Sequence, residues 1–537
     1  MHNRRLIPLH GTWADKRADF AWHWPAHFNI ARACCDDWAQ TAPDKVAITE
    51  ITSNGAQDWT YAALKDASDR LASAFVAAGL RRGDRVAVLL PQCAAAAITH
   101  FAAMKLGAVA LPLFTLFGED ALLYRLADSG AALVVTDLES LPKLQAIAPQ
   151  LPDLKAIFCT ADAPNSHNLW HAIAASPALA TPVDTLAEDP AVMIYTSGTT
   201  GPPKGVLHAH RFLFGHLPCM EMTHEGFPQS GDKGWTPADW AWIGGLMDMA
   251  MPCLYYGVPL IAHRMRKFDA TAAYALIAKH KIRNLFLPPT ALKLMRGTPV
   301  PAGVSIRTIS SGGESLGAEM LAWGSETLGA PINELYGQTE CNLCITQAAG
   351  FMPVKPATMG QALPGFNVAV FDDNGQPCAA GELGEICIRK GAASMFLRYW
   401  NQPEKTAQKF RGDWLRTGDL GYADAQGYFT FAARDDDVIT SAGYRIGPGE
   451  IENCLMGDPD VVMAAAIGIP DPVRTEVVRA FVVLREGALK DGASERLIER
   501  VRRRISPHVA PRDVIFVDAL PMTATGKVMR RMLRDKE

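Results

Sequence analysis

Residues 195–205, YTSGTTGPPKG, constrain this chain more than any other stretch. An apolar run over 191–195 leads in and reads as a short buried strand. Three glycines and two prolines then exclude regular structure. In that loop Thr196, Ser197, Thr199 and Thr200 bring hydroxyl groups, Gly198 and Gly201 sit among exposed backbone N–H donors, and Lys204 brings a cation. Donors and charge in so small a volume form an anion cradle, and the anion that suits it is a polyphosphate. The spacing is not that of the Walker loop. Counted from Gly198, Pro203 stands where the second glycine belongs, and Gly205 follows the lysine.

The 537 residues exceed what one core accommodates, so two or more domains are expected. Lysine and arginine total 52 against 56 acidic residues, a net charge of −4 that gives no electrostatic case for nucleic acid. Eleven cysteines without a regular framework suit a reduced, cytoplasmic protein. The first twenty residues hold arginines but no apolar h-region, so no secretory signal is expected there. The apolar stretch 86–114 is broken by Pro91, Gln92, His100, Lys105 and Pro112, which argues against a membrane span.

Periodicity gives the organisation. A helix is expected over 60–78, with Thr60 as cap, Leu64, Leu71, Phe75 and Ala78 on one face, and Gly79 ending it. Strands over 85–90, 108–113 and 132–136, alternating with a helix over 94–106, imply parallel βαβ units. The pattern resumes with a helix over 270–280 and strands over 282–287 and 306–310, the last running into Gly312, Gly313 and Glu314. From about 364, short strands over 366–371, 384–389 and 427–432 between Asp/Asn/Gly turns read as a small antiparallel unit. Residues 433–452, ARDDDVITSAGYRIGPGEIE, read as an interdomain joint. Beyond it, strands over 461–469, 477–484 and 514–517 with a helix over 493–505 suffice for an α+β domain. The fold class is therefore α/β plus α+β. A large N-terminal region (1–433) of parallel α/β sheets carries an antiparallel β subdomain at about 364–433. A hinge at 434–437 joins it to a small mobile C-terminal α+β domain, 438–537.

Three further motifs bear on chemistry. ELYGQTE, residues 334–340, puts Glu334, Tyr336, Gly337, Gln338, Thr339 and Glu340 into one expected turn. RTGDL, 416–420, supplies Asp419, which alone reads as a turn former. PMTATGK, 521–527, places Lys527 on a glycine-bearing loop, with basic neighbours Arg530, Arg531 and Arg534. With the loop at 195–205, these motifs in this order resemble the adenylate-forming superfamily of acyl-CoA synthetases, luciferases and peptide-synthetase adenylation domains. SAGYRIGPGEIE (441–452) and PDPVRTEVVRAFVVL (470–484) look most like the medium-chain acyl-CoA synthetases. Two departures stand out. Ala433-Arg434 replaces the family's Gly-Arg, and Cys341-Asn342 replaces the Thr-Gly that usually follows the acidic residue.

The resemblance implies an AMP-forming synthetase using ATP, Mg²⁺ and coenzyme A, with no nucleic-acid partner. An acid attacks the α-phosphorus of ATP, giving acyl-adenylate and pyrophosphate; the thiol of CoA then displaces AMP. By that resemblance Gly312, Gly313 and Glu314 line the adenine and ribose side, Tyr336 flanks the adenine, and Thr339 meets the α-phosphate. Glu340 helps hold Mg²⁺, Asp419 takes the ribose hydroxyls, and Arg434 reaches the same nucleotide. Lys527 bridges carboxylate and α-phosphate. Asp436 fits the hinge, although Asp435–Asp437 read alone is a solvated acidic turn. Ala442, Gly443 and Tyr444 would line the pantetheine tunnel. Arg445, Arg474 and Arg512 are candidates for CoA phosphates or nucleotide, with surface ion pairs an equal reading. Trp240, Trp242, Gly244, Gly245 and Met247 resemble one wall of the acyl pocket, although ordinary core packing also explains them. Gly337 stands where the acetate and propionate enzymes carry a tryptophan, so an open floor and medium-chain fatty or aryl acids are expected. The alternatives are a non-CoA thiol acceptor, a short-chain synthetase, or a regulatory nucleotide-binding module without chemistry. Lys527 would also be a target for a lysine acetyltransferase, since acylation removes its charge. CxxC at Cys341 and Cys344 and the pair Cys34-Cys35 read as buried structural thiols, and His208 and His210 as a helix start or strand face.

Overall fold

Leu64, Leu71 and Phe75 are fully buried along one face of the helix Tyr61–Ala77, and the Thr60 hydroxyl accepts from the Ala63 N–H at 3.2 Å. Such a cap stabilises a helix by about 1 kcal/mol. The computed structural model in which this is seen describes the chain except residues 1–3, 197–201, 314–315, 435–436, 438, 442–443, 472–474, 506, 508, 524–527 and 535–537, and except the side chains of 434, 440, 444, 445, 450 and 475.

Among the described residues the strands form three sheets. In the first, Val109–Pro112, Arg85–Leu89, Ala131–Thr136 and Ala156–Cys159 pair in parallel. Their alanine- and valine-rich runs suit a sheet covered on both faces, and Ala131–Thr136 is buried throughout. Pro190–Thr196 joins this sheet beside Val109–Pro112 and turns back antiparallel into Lys204–Ala209. The short strand Arg398–Tyr399 closes that edge.

The second sheet has a parallel centre, Gly234–Trp235, Asn284–Phe286, Thr308–Gly312 and Ile332–Gln338. It continues through Cys341–Thr346 and Gly360–Ala362 into the antiparallel strands Tyr428–Arg434, Trp414–Ala423, Gly384–Arg389 and Val368–Phe371. The expected antiparallel unit is therefore present, but as a hydrogen-bonded extension of the large sheet. Gly360–Ala362, three residues that carry no strand signal of their own, makes the join.

The third sheet holds Tyr444–Ile446, Ile439–Ser441, Thr475–Leu484 and Val461–Asp471, with Asp513–Phe516 parallel to Thr475–Leu484. Its apolar side chains, among them Ile439, Ile451, Val478, Leu497 and Val514, bury one another in a core separate from the rest. The backbone of Gly447 packs onto the strand Tyr428–Arg434, where a Cβ would lie 2.2 Å from the Ala432 carbonyl oxygen. Among the described residues no helix is long and apolar enough to cross a membrane.

Candidate active site

The loop at 195–205 is held at its neck by a hairpin: Tyr195 pairs with Gly205, and Thr196 with Lys204. Three contacts brace that neck. The Tyr195 hydroxyl donates to Asp128 at 2.5 Å, the Tyr124 hydroxyl to the Pro203 carbonyl at 3.0 Å, and the Trp400 N–H to the Gly205 carbonyl at 2.7 Å. Ser197, Gly198, Thr199, Thr200 and Gly201 lie outside the described residues, as does Glu314.

The 334–340 motif corrects the expectation of a single turn. Glu334, Tyr336, Gly337 and Gln338 belong to the strand Ile332–Gln338, and only Thr339 and Glu340 turn the chain into Cys341–Thr346. Main-chain pairing on both sides, with Thr308–Gly312 and with Cys341–Thr346, outweighs the local preference of a glycine. Gly312 likewise sits inside its strand. A Cβ there would lie 2.3 Å from Leu335 Cδ1, while Gly313 turns out at φ +105°, in the region that favours glycine. Glu334 is buried and accepts the Leu316 N–H at 3.3 Å.

Asp419 gathers side chains from two of the motifs. It is 4% exposed, and its Oδ2 accepts from the Tyr336 hydroxyl and from Gln338 Nε2, each at 2.6 Å. Burial first, and the Asp419 carboxylate second, push the Tyr336 phenol well above its usual range, so it stays a donor at any working pH. Gln338 Nε2 also donates to the Thr417 carbonyl at 2.8 Å, and Lys409 meets that carbonyl at 3.1 Å. In the ladder Asp419 stands opposite Arg434. The sequence therefore named four residues, Tyr336, Gln338, Asp419 and Arg434, that pairing brings to one place.

Tyr399 ties the two sheets together at this point. Its hydroxyl donates to Glu340 Oε1, and the Lys204 ammonium lies over its ring, 5.0 Å from the centroid. The ring is 2% exposed, and burial together with Glu340 raises its phenol far above the ordinary value. The strand Arg398–Tyr399 pairs with Lys204–Ala209, and the Phe396 N–H donates to the Glu340 carbonyl at 2.8 Å. The lysine of the 195–205 segment and the acidic residue of the second motif thus flank one aromatic ring, although 136 positions separate Lys204 from Glu340 in sequence. Sequence reasoning passed over Tyr399: its neighbours RYWNQ carry no spacing that marks it.

The residues expected to form an acyl wall differ in burial. Trp242 is half-buried and packs at 5.5 Å against Phe286, whereas Trp240 is 3% exposed and belongs to the main core. Met247 is also buried. Gly244 admits Phe286 and the Trp242 ring, and Gly245 admits the Ala238 and Asp239 carbonyls, at distances no Cβ would allow. Gly337 overturns the reading of an open floor. A Cβ there would lie 2.2 Å from the Leu343 backbone nitrogen, so the space is filled by the neighbouring strand. The glycine is required by that close approach, and its lack of a side chain opens nothing.

Asp248, in the segment that also carries Met247, belongs to a polar group that sequence reasoning missed. His216 Nδ1 is 3.0 Å from Asp248 Oδ1, which also accepts from Asn342 Nδ2 at 2.8 Å, and all three residues are buried. A histidine inside an apolar helix signals nothing by itself; only the packing of three segments reveals its partners. His208 is buried on the strand Lys204–Ala209 with its ring stacked at 3.8 Å on Phe212, and burial drives its pKa well down. His210 is buried as well, its pKa pushed down to about 4. Cys341 and Cys344 are buried, as are Cys34 and Cys35, and burial pushes the Cys341 thiol up to about 12.

In the C-terminal part, Asp436, Ala442, Gly443, Arg474 and Lys527 lie outside the described residues, as do the side chains of Arg434, Tyr444 and Arg445. Arg512 is exposed beside the strand Asp513–Phe516. Met522 and Val528 form a β-bridge, and the Met529 N–H donates to the Pro521 carbonyl at 2.8 Å, so the ends of the PMTATGK segment are held. Arg530 is bonded to Glu452 through two contacts of 2.8 Å and to Asp437 at 3.1 Å; Arg534 reaches Asp437 at 3.2 Å. The basic tail thus engages the acidic run of the joint.

Known proteins resemble this chain over most of its length. Residues 35–400 match the family described as AMP-binding enzyme, and residues 450–527 match the AMP-binding enzyme C-terminal domain. The mitochondrial acyl-coenzyme A synthetase ACSM2 of Rattus norvegicus is 34% identical over 100% of this chain and 95% of its own length. An acetyl-coenzyme A synthetase of Bacillus subtilis (strain 168) is 32% identical over 98% and 93%. Among solved structures, the anthranilate CoA ligase AuaEII in complex with anthranoyl-AMP superposes with a TM-score of 0.88 at 25% identity, covering 96% of this chain and 98% of that one. The chain belongs to the AMP-binding enzyme family, and within it to the AMP-forming acyl-coenzyme A synthetases, ligases that take ATP and coenzyme A.

Proposed function

We propose that this chain activates a carboxylic acid larger than acetate, a medium-chain fatty or aryl acid, and passes the acyl group to coenzyme A. A carboxylate is a poor electrophile: its charge repels nucleophiles, and its oxygen leaves badly. Attack on the α-phosphorus of ATP replaces that oxygen with AMP, a far better leaving group. The step brings anions together, so cations and oriented dipoles must already be in place. The single observation that carries the reading is the meeting of Lys204 and Glu340 on the Tyr399 ring. It sets the cation of the phosphate loop beside a hard carboxylate suited to Mg²⁺. Asp419, held by Tyr336 and Gln338, then faces the ribose.

In this reading Thr196, Ser197, Gly198, Thr199, Thr200, Gly201 and Lys204 hold the β- and γ-phosphates, and Gly312, Gly313, Glu314 and Glu334 border the nucleoside. Thr339 meets the α-phosphate, and Glu340 would hold Mg²⁺, which would supply positive charge beside the phosphates. Lys527 joins the acid to the α-phosphate. Residues 1–433 form the ATP- and acid-binding domain. Rotation at 434–437, centred on Asp436, then withdraws Lys527 and brings Ala442, Gly443 and Tyr444 to the thiol route, with Arg445, Arg474 and Arg512 as anion contacts. The separate apolar core of the C-terminal part supports a body able to turn on its own. A relative whose name gives acetate and a neighbour whose name gives anthranilate bracket the acid. A cytoplasmic location and reversible acylation of Lys527 belong to the same reading. Purified protein with Mg²⁺, ATP, CoA and acids of two to ten carbons plus benzoate tests it: AMP should be released, most rapidly with acids of six carbons or more. Absence of AMP with every acid, or a clear preference for acetate, would falsify it.

A further inference from the structure

Among the buried polar atoms without a hydrogen-bond partner in the described residues is His216 Nε2, whose ring is held by two other segments. His216 comes from the helix Phe212–Thr223, Asp248 from the segment Leu246–Ala250 and Asn342 from the strand Cys341–Thr346. They are 0%, 5% and 5% exposed. Asp248 Oδ1 accepts from Asn342 Nδ2 and lies 3.0 Å from His216 Nδ1, so in the neutral ring the proton sits on Nδ1 and the lone pair on Nε2. That Nε2 is buried and has no hydrogen-bond partner among the described residues. A buried acceptor without a partner is costly and uncommon.

The partners of the His216 ring come from the segment that follows Gly244, Gly245 and Met247 and from the strand that follows Thr339 and Glu340, the stretches read from sequence as bordering the acid. Asn342 follows Thr339 by three residues, so the two backbones are no more than about 10 Å apart, the reach of an aromatic ring or a short alkyl chain. A run of rings leads the same way. His208, beside the Thr339 backbone, stacks on Phe212 at 3.8 Å, and Phe212 meets His216 edge-on at 4.5 Å. Asp248 continues the segment that carries Gly244, Gly245 and Met247. The Asn342 backbone fills the space facing Gly337. The sequence departs from the family pattern here, with Asn342 in place of glycine, and that asparagine holds the carboxylate that orients the histidine.

We propose that His216 Nε2, oriented by Asp248 and Asn342, accepts a hydrogen bond from the far end of the acid, so the preferred substrate is a carboxylic acid bearing a hydroxyl or amino group distal to its carboxylate. This rests on the acid-activating reading above and narrows it. An acid without the donor leaves Nε2 unanswered, and a site built to pair with a polar group discriminates against the analogue that lacks it. Asp248 keeps the ring in one orientation and does not touch the substrate, so it is a positioning residue.

The test compares kcat/KM for AMP release, with ATP and CoA, between benzoate and meta- or para-hydroxybenzoate or para-aminobenzoate, and between hexanoate and ω-hydroxyhexanoate. Wild-type enzyme should favour at least one donor-bearing acid over its plain counterpart by about ten- to a hundredfold. The double variant His216→Phe with Asp248→Asn, which leaves no orphaned carboxylate, should bring that ratio to within about threefold of one. Equal or better use of the plain acids by wild type overturns the inference, since Nε2 is then answered by a buried water. So does a donor preference that survives in the double variant. The wild-type ratios decide even if the variant does not fold. AMP release from all acids without discrimination removes this inference alone, whereas no AMP from any acid removes the reading beneath it too.

Discussion

Replacing Tyr399 with phenylalanine isolates one hydrogen bond at the junction of the two sheets. The ring remains, and with it the face over which the Lys204 ammonium sits at 5.0 Å. What is lost is the hydroxyl that donates to Glu340 Oε1. A hydrogen bond to a charged acceptor is worth about 1.5–3 kcal/mol, or roughly 10- to 150-fold. Because Tyr399 is 2% exposed, water does not readily replace the lost donor. Glu340 would then lose its fixed orientation at the moment a divalent ion has to be held against the phosphates. ATP–pyrophosphate exchange should therefore fall by that factor, and saturation should require more Mg²⁺. Thioester formation from supplied acyl-adenylate, which needs no pyrophosphate-bearing metal complex, should stay within about threefold. Tyr399→Leu removes the ring as well and should cost a further 0.5–1 kcal/mol, about two- to fivefold. The reasoning fails if Tyr399→Phe exchanges pyrophosphate like wild type at limiting Mg²⁺, or if both half-reactions drop together.

Lys527→Ala should lower adenylation by about 10²–10³, the cost of one preorganised charge-assisted contact, while sparing thioester formation from a supplied adenylate; equal loss in both assays refutes its role. Gly443→Leu should still form acyl-adenylate yet lose CoA turnover, and normal CoA turnover would count against a thiol route past that residue. Glu221 gives a pH prediction. It is buried, accepts the Leu6 and Ile7 N–H groups at 2.6 and 2.7 Å and the Tyr256 hydroxyl at 2.5 Å, and burial nonetheless raises its pKa from 4.5 to about 7. The folded state therefore binds more protons than the unfolded one between these values, and stability falls as pH rises. The melting-temperature advantage of wild type over Glu221→Gln should be largest below about pH 4.5 and shrink up to about pH 7; an advantage that grows with pH contradicts the assignment.

Local chemistry made much of this protein legible. The helix over 60–78 and the strands of the first sheet depend on spacing within one segment, and they form where that spacing puts them to within a residue or two. The hydroxyls and lysine of the 195–205 loop likewise announce an anion site whatever surrounds them. Asp419 and Tyr336 were nameable because each lies in a motif that is chemically complete over a few residues. What sequence misjudged depends on partners far along the chain. Gly337 looked like open space because its own residue type says nothing about Leu343 packing against it. Tyr336 and Gly337 were expected in a turn and lie in a strand, because two neighbouring strands supply hydrogen bonds that local propensity cannot foresee. Tyr399 bonded to Glu340, and His216 held by Asp248 and Asn342, exist only through contacts between segments separated by 32 to 126 positions. The sequence by itself thus determined which chemistry the chain carries, since donors, cations and carboxylates are properties of residues. The tertiary structure alone decided which of them meet and what they exclude, since meeting and exclusion are set by long-range packing.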